Sequence, residues 1–520
     1  MLKRVLIANR GEIAIRIARA AASLGIDSVA IFTAADSASL HTKLAGSARQ
    51  IDGDPLRGYL DIDAVVAAAK ASGADCVHPG YGFLSENAAF AERCAAEGLR
   101  FVGPSPASLK LFGDKVAART FAEAQGIPVV PGAPKLGSAA QAKSVAASIG
   151  YPVMLKAAAG GGGRGMRAVA KLEEMDEAFA RCQGEAEAAF GDRSVFLEKI
   201  VPRPRHIEVQ VLGDGRGNVA HLFERDCSVQ LRNQKVVEVA PAPNLDKALR
   251  QRILDDAVKL ARAAAYENAG TVEFLVTPET DEHFFIECNP RIQVEHTITE
   301  QVMGVDLVEA QFRIAAGGSL PAIGTPRGFA IQARVVVQGT GTLSAYREPS
   351  GPGVRIDACG YLGLSPPPQF DPLLAKLICQ SGSAGTFESA VERTQRALDE
   401  FHIVGVPTNR EQLRAILAHH DFRAGNARTT LLADAIEAPK ATGGALPFLD
   451  QQVAALGRGR ATAGPPPARP MPVPPGHEAV ESPHAGSIVE IKVGEGNAIK
   501  AGEPLFVVSA MKMETSVTAP

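Results

Sequence analysis

Residues 438–475 carry Gly464-Pro465-Pro466-Pro467 and Pro470-Met471-Pro472-Val473-Pro474-Pro475, and no other stretch limits the fold of this chain so strictly. Proline fixes φ and removes the backbone donor, so the run supports neither a helix interior nor a sheet ladder. A semi-rigid, polyproline-like tether is expected. Whatever folds must do so on either side of it, as a long body before and a short tail after. With 520 residues in all, three or four domains are expected rather than one core.

The body opens with an apolar run, Lys3-Arg4-Val5-Leu6-Ile7-Ala8, closed by Asn9-Arg10-Gly11. Ile13, Ile17 and Ala20 recur at helical spacing, and Asp27-Ser28-Val29-Ala30-Ile31-Phe32 reads as a second strand. This is a βαβ unit with a parallel sheet, whose ligand loops lie at the strands' C-terminal ends. The unit has no GxGxxG, so a dinucleotide fingerprint is absent from it. Further on, Cys76-Val77-His78-Pro79-Gly80-Tyr81-Gly82-Phe83-Leu84-Ser85-Glu86-Asn87 forces a tight turn, and Tyr81 either faces a ligand or merely packs.

Tyr151-Pro152-Val153-Met154-Leu155-Lys156 is a strand ending in lysine that runs into Ala157-Ala158-Ala159-Gly160-Gly161-Gly162-Gly163-Arg164-Gly165-Met166. Successive glycines let backbone N–H groups approach an anion, so a phosphate-covering loop is expected, with a plain linker as the alternative. The GK[ST] ending of a Walker A loop is missing. Residues 194–201 read as another strand. In residues 205–212, Ile207, Val209 and Val211 face inward while His206, Glu208 and Gln210 face solvent or a site. Residues 224–235 are charge-dense and would pass as a solvated loop between strands; a helical pattern follows over about residues 245–265.

Next comes His283-Phe284-Phe285-Ile286, a short buried strand, followed by Glu287-Cys288-Asn289-Pro290-Arg291-Ile292-Gln293-Val294-Glu295-His296. Strand alternation places Glu287 and Asn289 on one face, near Glu273 of a neighbouring strand. Two carboxylates and an amide carbonyl suit Mg²⁺ that also holds substrate phosphates. Arg291 and Glu295 follow as a fixed cation and a candidate general base; the competing reading is an acidic strand end beside solvated charges.

From about residue 328 the pattern changes to short strands with Gly-rich turns, then helices over about residues 386–400 and 410–419, which suggests an α+β domain. Beyond the tether, short strands and Gly turns predict an all-β domain ending in Ala510-Met511-Lys512-Met513-Glu514. Methionines flanking a lysine are unusual for an ordinary surface turn. A net charge of −3 gives no support for nucleic-acid or membrane-surface binding, and no apolar run reaches membrane-spanning length. Seven cysteines without a CxxC pair indicate neither a zinc site nor a disulfide framework, and the N-terminus lacks a signal-peptide pattern. A cytoplasmic protein is the expectation.

In order and spacing, these motifs resemble a biotin carboxylase of the ATP-grasp superfamily, a component of biotin-dependent carboxylases of acyl-CoA or pyruvate carboxylase type, joined to the start of a biotinyl carrier domain. The residues that carry the likeness are Ala8-Asn9-Arg10-Gly11-Glu12-Ile13-Ala14, residues 78–87, the four-glycine run, residues 224–227, Gln234-Lys235-Val236-Val237, residues 291–295 and Ala510-Met511-Lys512-Met513. It covers residues 2–435 and 482–520. The implied architecture is α/β and α+β multidomain: a parallel-sheet N-terminal domain (1–113), an ATP-grasp domain (114–328, lid about 132–203), a C-terminal α+β domain (329–437), a Pro/Gly/Ala-rich linker (438–480) and the first half of an all-β biotinyl domain (481–520).

The resemblance implies ATP-dependent carboxylation of biotin by bicarbonate through carboxyphosphate. It assigns Lys115, Lys156 and the loop with Gly161, Gly162 and Gly163 to ATP phosphates, and Glu198, Lys199 and Val201 to the adenine hinge. His206 and Gln230 match nucleotide contacts, and Glu273, Glu287 and Asn289 match the Mg²⁺ (or Mn²⁺) positions. Bicarbonate falls to Lys235, Arg291, Gln293 and the Val294 backbone, with Glu295 as base. Arg334 with Arg291 matches the cation beside the biotin oxygen, Tyr81 lies beside the biotin ring, and Lys512 carries covalent biotin. Cys227 matches a cysteine once considered as a base, although a structural thiol serves as well.

The resemblance further implies a carboxyltransferase domain or subunit, a biotin protein ligase and a homo-oligomer as partners. An acyl-CoA carboxylase is the leading expectation; a pyruvate or urea carboxylase-type component, a non-catalytic ATP-grasp scaffold and a carbamoyl-phosphate-forming ligase are alternatives. Three departures stand out. Leu231 and Asn233 replace an Arg and a His of the family's Arg-Arg-His-Gln-Lys run, and the segment after Arg334 is short and uncharged. The sequence also stops eight residues past Lys512, so half a β-sandwich is expected to be poorly packed and the chain to be a piece of a longer polypeptide.

Overall fold

Apolar runs at the first, second and fourth strands, with helical crossovers between successive strands, give the N-terminal region a parallel sheet. Its strands are β1 (Arg4–Ile7), β2 (Asp27–Phe32), β3 (Ser47–Gln50), β4 (Cys76–His78) and β5 (Arg100–Phe101), in the order β3-β2-β1-β4-β5. A computed structural model describes residues 2–158, 166–277, 279–435, 473, 476–482, 487–510 and 513–520. Helix Gly11–Ser23 buries Ile13, Ile17 and Ala20 against this sheet, as their spacing predicts. Asn9 donates to the carbonyls of Pro79 (2.7 Å) and Tyr81 (2.8 Å), fastening the first turn to the second. Gly80 at that turn has φ +64°, and a Cβ there would meet the Asn9 amide at 2.8 Å.

A small antiparallel sheet follows: β6 (Gly132–Leu136), β7 (Val153–Ala157), β8 (Met166–Val169) and β9 (Val195–Lys199), ordered β6-β9-β7-β8. The largest sheet has eight strands. Its first five are β10 (Arg205–Asp214), β11 (Val219–Leu231), β12 (Gln234–Ala240), β13 (Glu267–Thr277) and β14 (Glu282–Asn289). Then come β15 (Ala330–Val336), β16 (Ala345–Arg347), β17 (Val354–Ala358), β18 (Leu373–Gln380) and β19 (His402–Val404). The order β14-β13-β10-β11-β12-β15-β18-β17 runs across residue 328, because β12 pairs with β15 from Val237↔Ala333 to Ala240↔Ala330. β16 and β19 pair separately.

Residues 224–235 are not a solvated loop, contrary to the sequence reading. They complete β11, turn at Arg232 and Asn233, and start β12. Both turn residues have positive φ (51° and 63°), a two-residue hairpin geometry that asparagine tolerates well. The charges are tolerated because partners meet them: Arg225 is fully buried, with Glu208, Gln210, Thr271, Gln293 and Thr299 around its guanidinium. Removing one partner of a buried charge network strands the other. Arg225→Met is therefore expected to cost about 3–5 kcal/mol of stability, measured by denaturant unfolding; a loss within error would contradict this.

Near the C-terminal end of the sequence, β20 (Ser487–Ile491), β21 (Pro504–Ala510) and β22 (Met513–Thr518) form a three-stranded antiparallel meander; the proline-rich run expected to be a linker lies, apart from Val473, outside the described residues. Ile488, Val489 and Ile491 remain exposed on it, as expected of one layer of a sandwich. Among the described residues, no helix is long and apolar enough to cross a membrane.

Candidate active site

Register brings the acidic residues together. Glu273 lies opposite Glu287, and Thr271 opposite Asn289, on the paired strands β13 and β14. β14 extends beyond the apolar run to Asn289, so Glu287 and Asn289 are strand residues projecting to one face. Asn289 Nδ2 donates to Glu273 Oε1 at 2.8 Å, and Lys115 Nζ stands 3.4 Å from Glu287 Oε2. The side chains of Lys115 and Glu287 stay 29% and 31% exposed, so an ion can reach this face. Its hard oxygen donors fit a divalent cation such as Mg²⁺.

Beside this set, Lys235 at the start of β12 reaches three carboxylates: Glu208, Glu273 Oε1 (2.9 Å) and Glu295 Oε1 (2.7 Å). Arg334 on β15 spans Glu238 Oε1 (2.5 Å) and Glu295 Oε2 (3.0 Å). Burial pushes the Glu295 carboxyl up, but Lys235, Arg334 and Arg225 outweigh it and hold the group well below the usual carboxylate range. Glu273 is lowered in the same way, by Lys235 and His206 against its burial. The ammonium of Lys235 is held charged by the same three carboxylates despite burial. The ligand-like groups His206/Glu208/Glu273 and Glu208/Cys227/Glu295 each lie within 4.8 Å, but the Lys235 ammonium already bridges their carboxylates. Cys227 is fully buried and its thiol is pushed far up, first by burial and then by Glu208, so it stays protonated and makes a poor base.

Gln293 Nε2 donates to Glu273 Oε1 at 2.7 Å, and its Oε1 accepts from Arg225 at 3.1 Å. Arg291 turns outward to Glu86 Oε1 (2.5 Å) and Asn289 Oδ1 (3.1 Å). Arg291 and Arg334 therefore hold different carboxylates here. His206 Nε2 meets Glu273 Oε2 at 2.6 Å, and Gln230 Nε2 meets His206 Nδ1 at 2.9 Å.

On the small sheet, Lys156 Nζ pairs with Glu198 Oε2 at 2.5 Å, and Arg119 with Glu198 Oε1 at 2.9 Å. The Lys199 ammonium caps the carbonyls of Gly150 (2.8 Å) and Tyr151 (2.9 Å), and its N–H donates to Pro131 O. Lys199 thus braces the sheet with its side chain, while Val201 follows the strand end. The Tyr81 hydroxyl donates to Glu12. Gly161, Gly162, Gly163 and Lys512 lie outside the described residues.

Sequence reasoning passed over Arg225, Glu238, Glu12 and Lys376. It placed Glu208 on the correct face by alternation but gave it no role. Glu238 is fully buried, and its carboxyl is pushed up to about 7, by burial first and by Glu295, against the pull of Arg334. The folded carboxyl keeps its proton to about 7 while the unfolded one releases it near the ordinary 4.5. The folded state therefore binds more protons in between, and this group's contribution to stability falls as pH rises through that window. Glu238→Gln, which cannot charge, is expected to flatten that fall; parallel Tm–pH curves for parent and variant would contradict it.

Four family models match the chain: "Biotin carboxylase, N-terminal domain" over residues 1–109, "Carbamoyl-phosphate synthase L chain, ATP binding domain" over 114–323, "Biotin carboxylase C-terminal domain" over 332–434 and "Biotin-requiring enzyme" over 478–520. Biotin carboxylase from Campylobacter jejuni, solved with a β,γ-ATP ligand, is 40% identical with a TM-score of 0.81, covering 83% of this chain and 99% of that one. The chain belongs to the biotin carboxylase family. It is by family an ATP-dependent ligase, and the biotin carboxylase models on both sides of the ATP-binding region set it apart from carbamoyl-phosphate-forming enzymes.

Within the family, the biotin carboxylase domain dimer of Hydrogenobacter thermophilus 2-oxoglutarate carboxylase, solved with MgADP, ADP and bicarbonate, is 42% identical with a TM-score of 0.81, covering 84% of this chain and 98% of that one. Pyruvate carboxylase from Staphylococcus aureus is 47% identical over 457 residues, 84% of this chain. The chain spans about two fifths (39%) of the length of that relative.

Proposed function

We propose that this chain carboxylates biotin with bicarbonate, driven by ATP, as the first half-reaction of a biotin-dependent carboxylase. The observation that carries the reading is the convergence of Lys235 and Arg334 on the ionised Glu295, beside the Glu273–Glu287–Asn289 oxygen set. Lys235, Gln293 and the Val294 backbone bind bicarbonate, with Arg291 at the rim. Glu295 takes the bicarbonate proton, and the freed oxygen attacks the γ-phosphorus of ATP, displacing ADP. The carboxyphosphate so formed breaks its carbonyl C–O bond to give CO₂ and phosphate. That phosphate removes the proton of the biotin ureido nitrogen, which then attacks CO₂. Arg334 steadies the ureido oxygen as charge develops there, a task suited to a guanidinium that stays charged.

Lys115, Lys156 and the glycine run are assigned to the ATP phosphates, and His206, Gln230, Glu198, Lys199 and Val201 to the nucleoside. Glu273, Glu287 and Asn289 are the residues that would hold Mg²⁺, which neutralises phosphate charge when bound. Tyr81 is assigned to the biotin ring and Lys512 to covalent biotin.

For the final acceptor, the similarities favour a pyruvate carboxylase-type component over the acyl-CoA carboxylase expected first, since pyruvate carboxylases from bacteria, fungi and mammals are 46–47% identical. The proposed partners are a carboxyltransferase region, which the greater length of those relatives accommodates, a biotin protein ligase, and a second copy, as in the dimer named above. The proposed location is the cytoplasm. ATP hydrolysis that requires bicarbonate and rises with free biotin is the expected result. Folded chain supplied with Mg²⁺ that shows neither dependence would favour the non-catalytic scaffold instead.

A further inference from the structure

Lys376 has no part in the chemistry above, yet it is the one fully buried lysine among the described residues. It sits in the middle of β18, opposite Arg334 on β15 and opposite Asp357 on β17. Cross-strand partners share a face, so Arg334, Lys376 and Asp357 stand in one row. Arg334 already points from this row to Glu295. The Lys376 ammonium lies 3.0 Å from Glu12 Oε2 and 4.0 Å from Asp357 Oδ2, and it donates to the Val294 carbonyl at 3.2 Å.

Those contacts belong to separate parts of the chain. Glu12 is in the first turn of helix Gly11–Ser23 on the N-terminal sheet, and its other oxygen accepts from the Tyr81 hydroxyl. Val294 precedes Glu295 on the loop after β14. Desolvating an ammonium is costly unless partners compensate, and a site that needed only volume would be filled by an apolar side chain. Here the ammonium touches a carboxylate on one side and, on the other, the peptide that leads into Glu295.

We propose that Lys376, through Glu12, is a positioning residue that ties Tyr81 to the Val294–Glu295 peptide, so that the biotin and bicarbonate sides of the site are set together. The inference rests on the biotin carboxylase reading of Tyr81, Val294 and Glu295. With the ammonium gone, the Val294 carbonyl loses a fixed donor and Glu12 becomes an unpaired buried carboxylate. The carboxylate that accepts from the Tyr81 hydroxyl is then no longer held by an ammonium, and the loop carrying the base can rotate.

The test uses the full 520-residue chain with free biotin as acceptor. Lys376→Met is expected to lower kcat/KM for biotin by about 30-fold or more and raise KM for bicarbonate several-fold, with KM for ATP within about twofold. Glu12→Gln/Lys376→Met removes both buried charges and is expected to recover Tm but not kinetics. Kinetics that recover together with Tm would reduce Lys376 to a packing element and overturn the proposal.

Tyr81→Phe keeps the ring and decides the matter even where the lysine variants fail to fold. It is expected to raise KM for bicarbonate about threefold or more at unchanged KM for ATP, and an unchanged bicarbonate KM overturns the link. A parent chain without bicarbonate-dependent ATP hydrolysis removes the underlying reading as well. An active parent whose variants keep its kinetics removes only the role of Lys376.

Discussion

Glu295→Gln is expected to lower biotin carboxylation by about 10²–10⁴-fold while the chain stays folded and binds ATP normally. The substitution keeps shape and removes charge. Lys235 retains the Glu208 and Glu273 carboxylates, and Arg334 retains its hydrogen bond to Glu238. What is lost is the carboxylate that Lys235 and Arg334 share. Lys235, first among the cations that keep Glu295 ionised, is also the one proposed to bind bicarbonate, so it would lower the proton affinity of bicarbonate together with that of Glu295. A carboxylate of low intrinsic basicity can thus accept that proton within the site, although it would be a poor base for bicarbonate in water. Near-normal carboxylation by the variant, measured with free biotin, would remove Glu295 from the role of base.

The second large effect is expected at Lys512. Lys512→Ala should abolish incorporation of biotin while leaving carboxylation of free biotin intact. Lys512 stands between methionines inside the region matched by the biotin-requiring family model, residues 478–520. An acceptor attached to the chain has a raised effective concentration at the site, so losing the attachment is expected to affect delivery rather than chemistry. A streptavidin blot of parent and variant, co-expressed with a biotin protein ligase, reads the outcome. Label that persists in the variant would sink the assignment.

Much of this was legible from residue pattern. The period-two alternation of residues 205–212 placed Glu208 on the site face, and the β14 pattern placed Glu287 and Asn289 together, because strand geometry leaves little choice once one face is buried. The N-terminal βαβ unit followed from its apolar runs and one glycine turn. Residues 224–235 were misread because charge density signals solvent unless the partners are known. Those of Arg225 come from Glu208 and Gln210 on β10, Thr271 on β13, and Gln293 and Thr299 beyond β14. No local window contains that information. Lys376 was invisible for the same reason: its partners Glu12 and Val294 are hundreds of residues and tens of residues away, respectively. The pairing of β12 with β15, which carries one sheet across residue 328, is likewise a long-range fact.

Transfer of one oxygen from bicarbonate to phosphate tests the central claim most directly. If bicarbonate deprotonated at Glu295 attacks the γ-phosphorus and the resulting carboxyphosphate breaks at its carbonyl carbon, the attacking oxygen stays on phosphorus. Turnover of ATP and free biotin with ¹⁸O-labelled bicarbonate should therefore release phosphate carrying one ¹⁸O per molecule, in step with biotin carboxylated. Phosphate that acquires its new oxygen from water instead, while biotin is still carboxylated, would contradict the account.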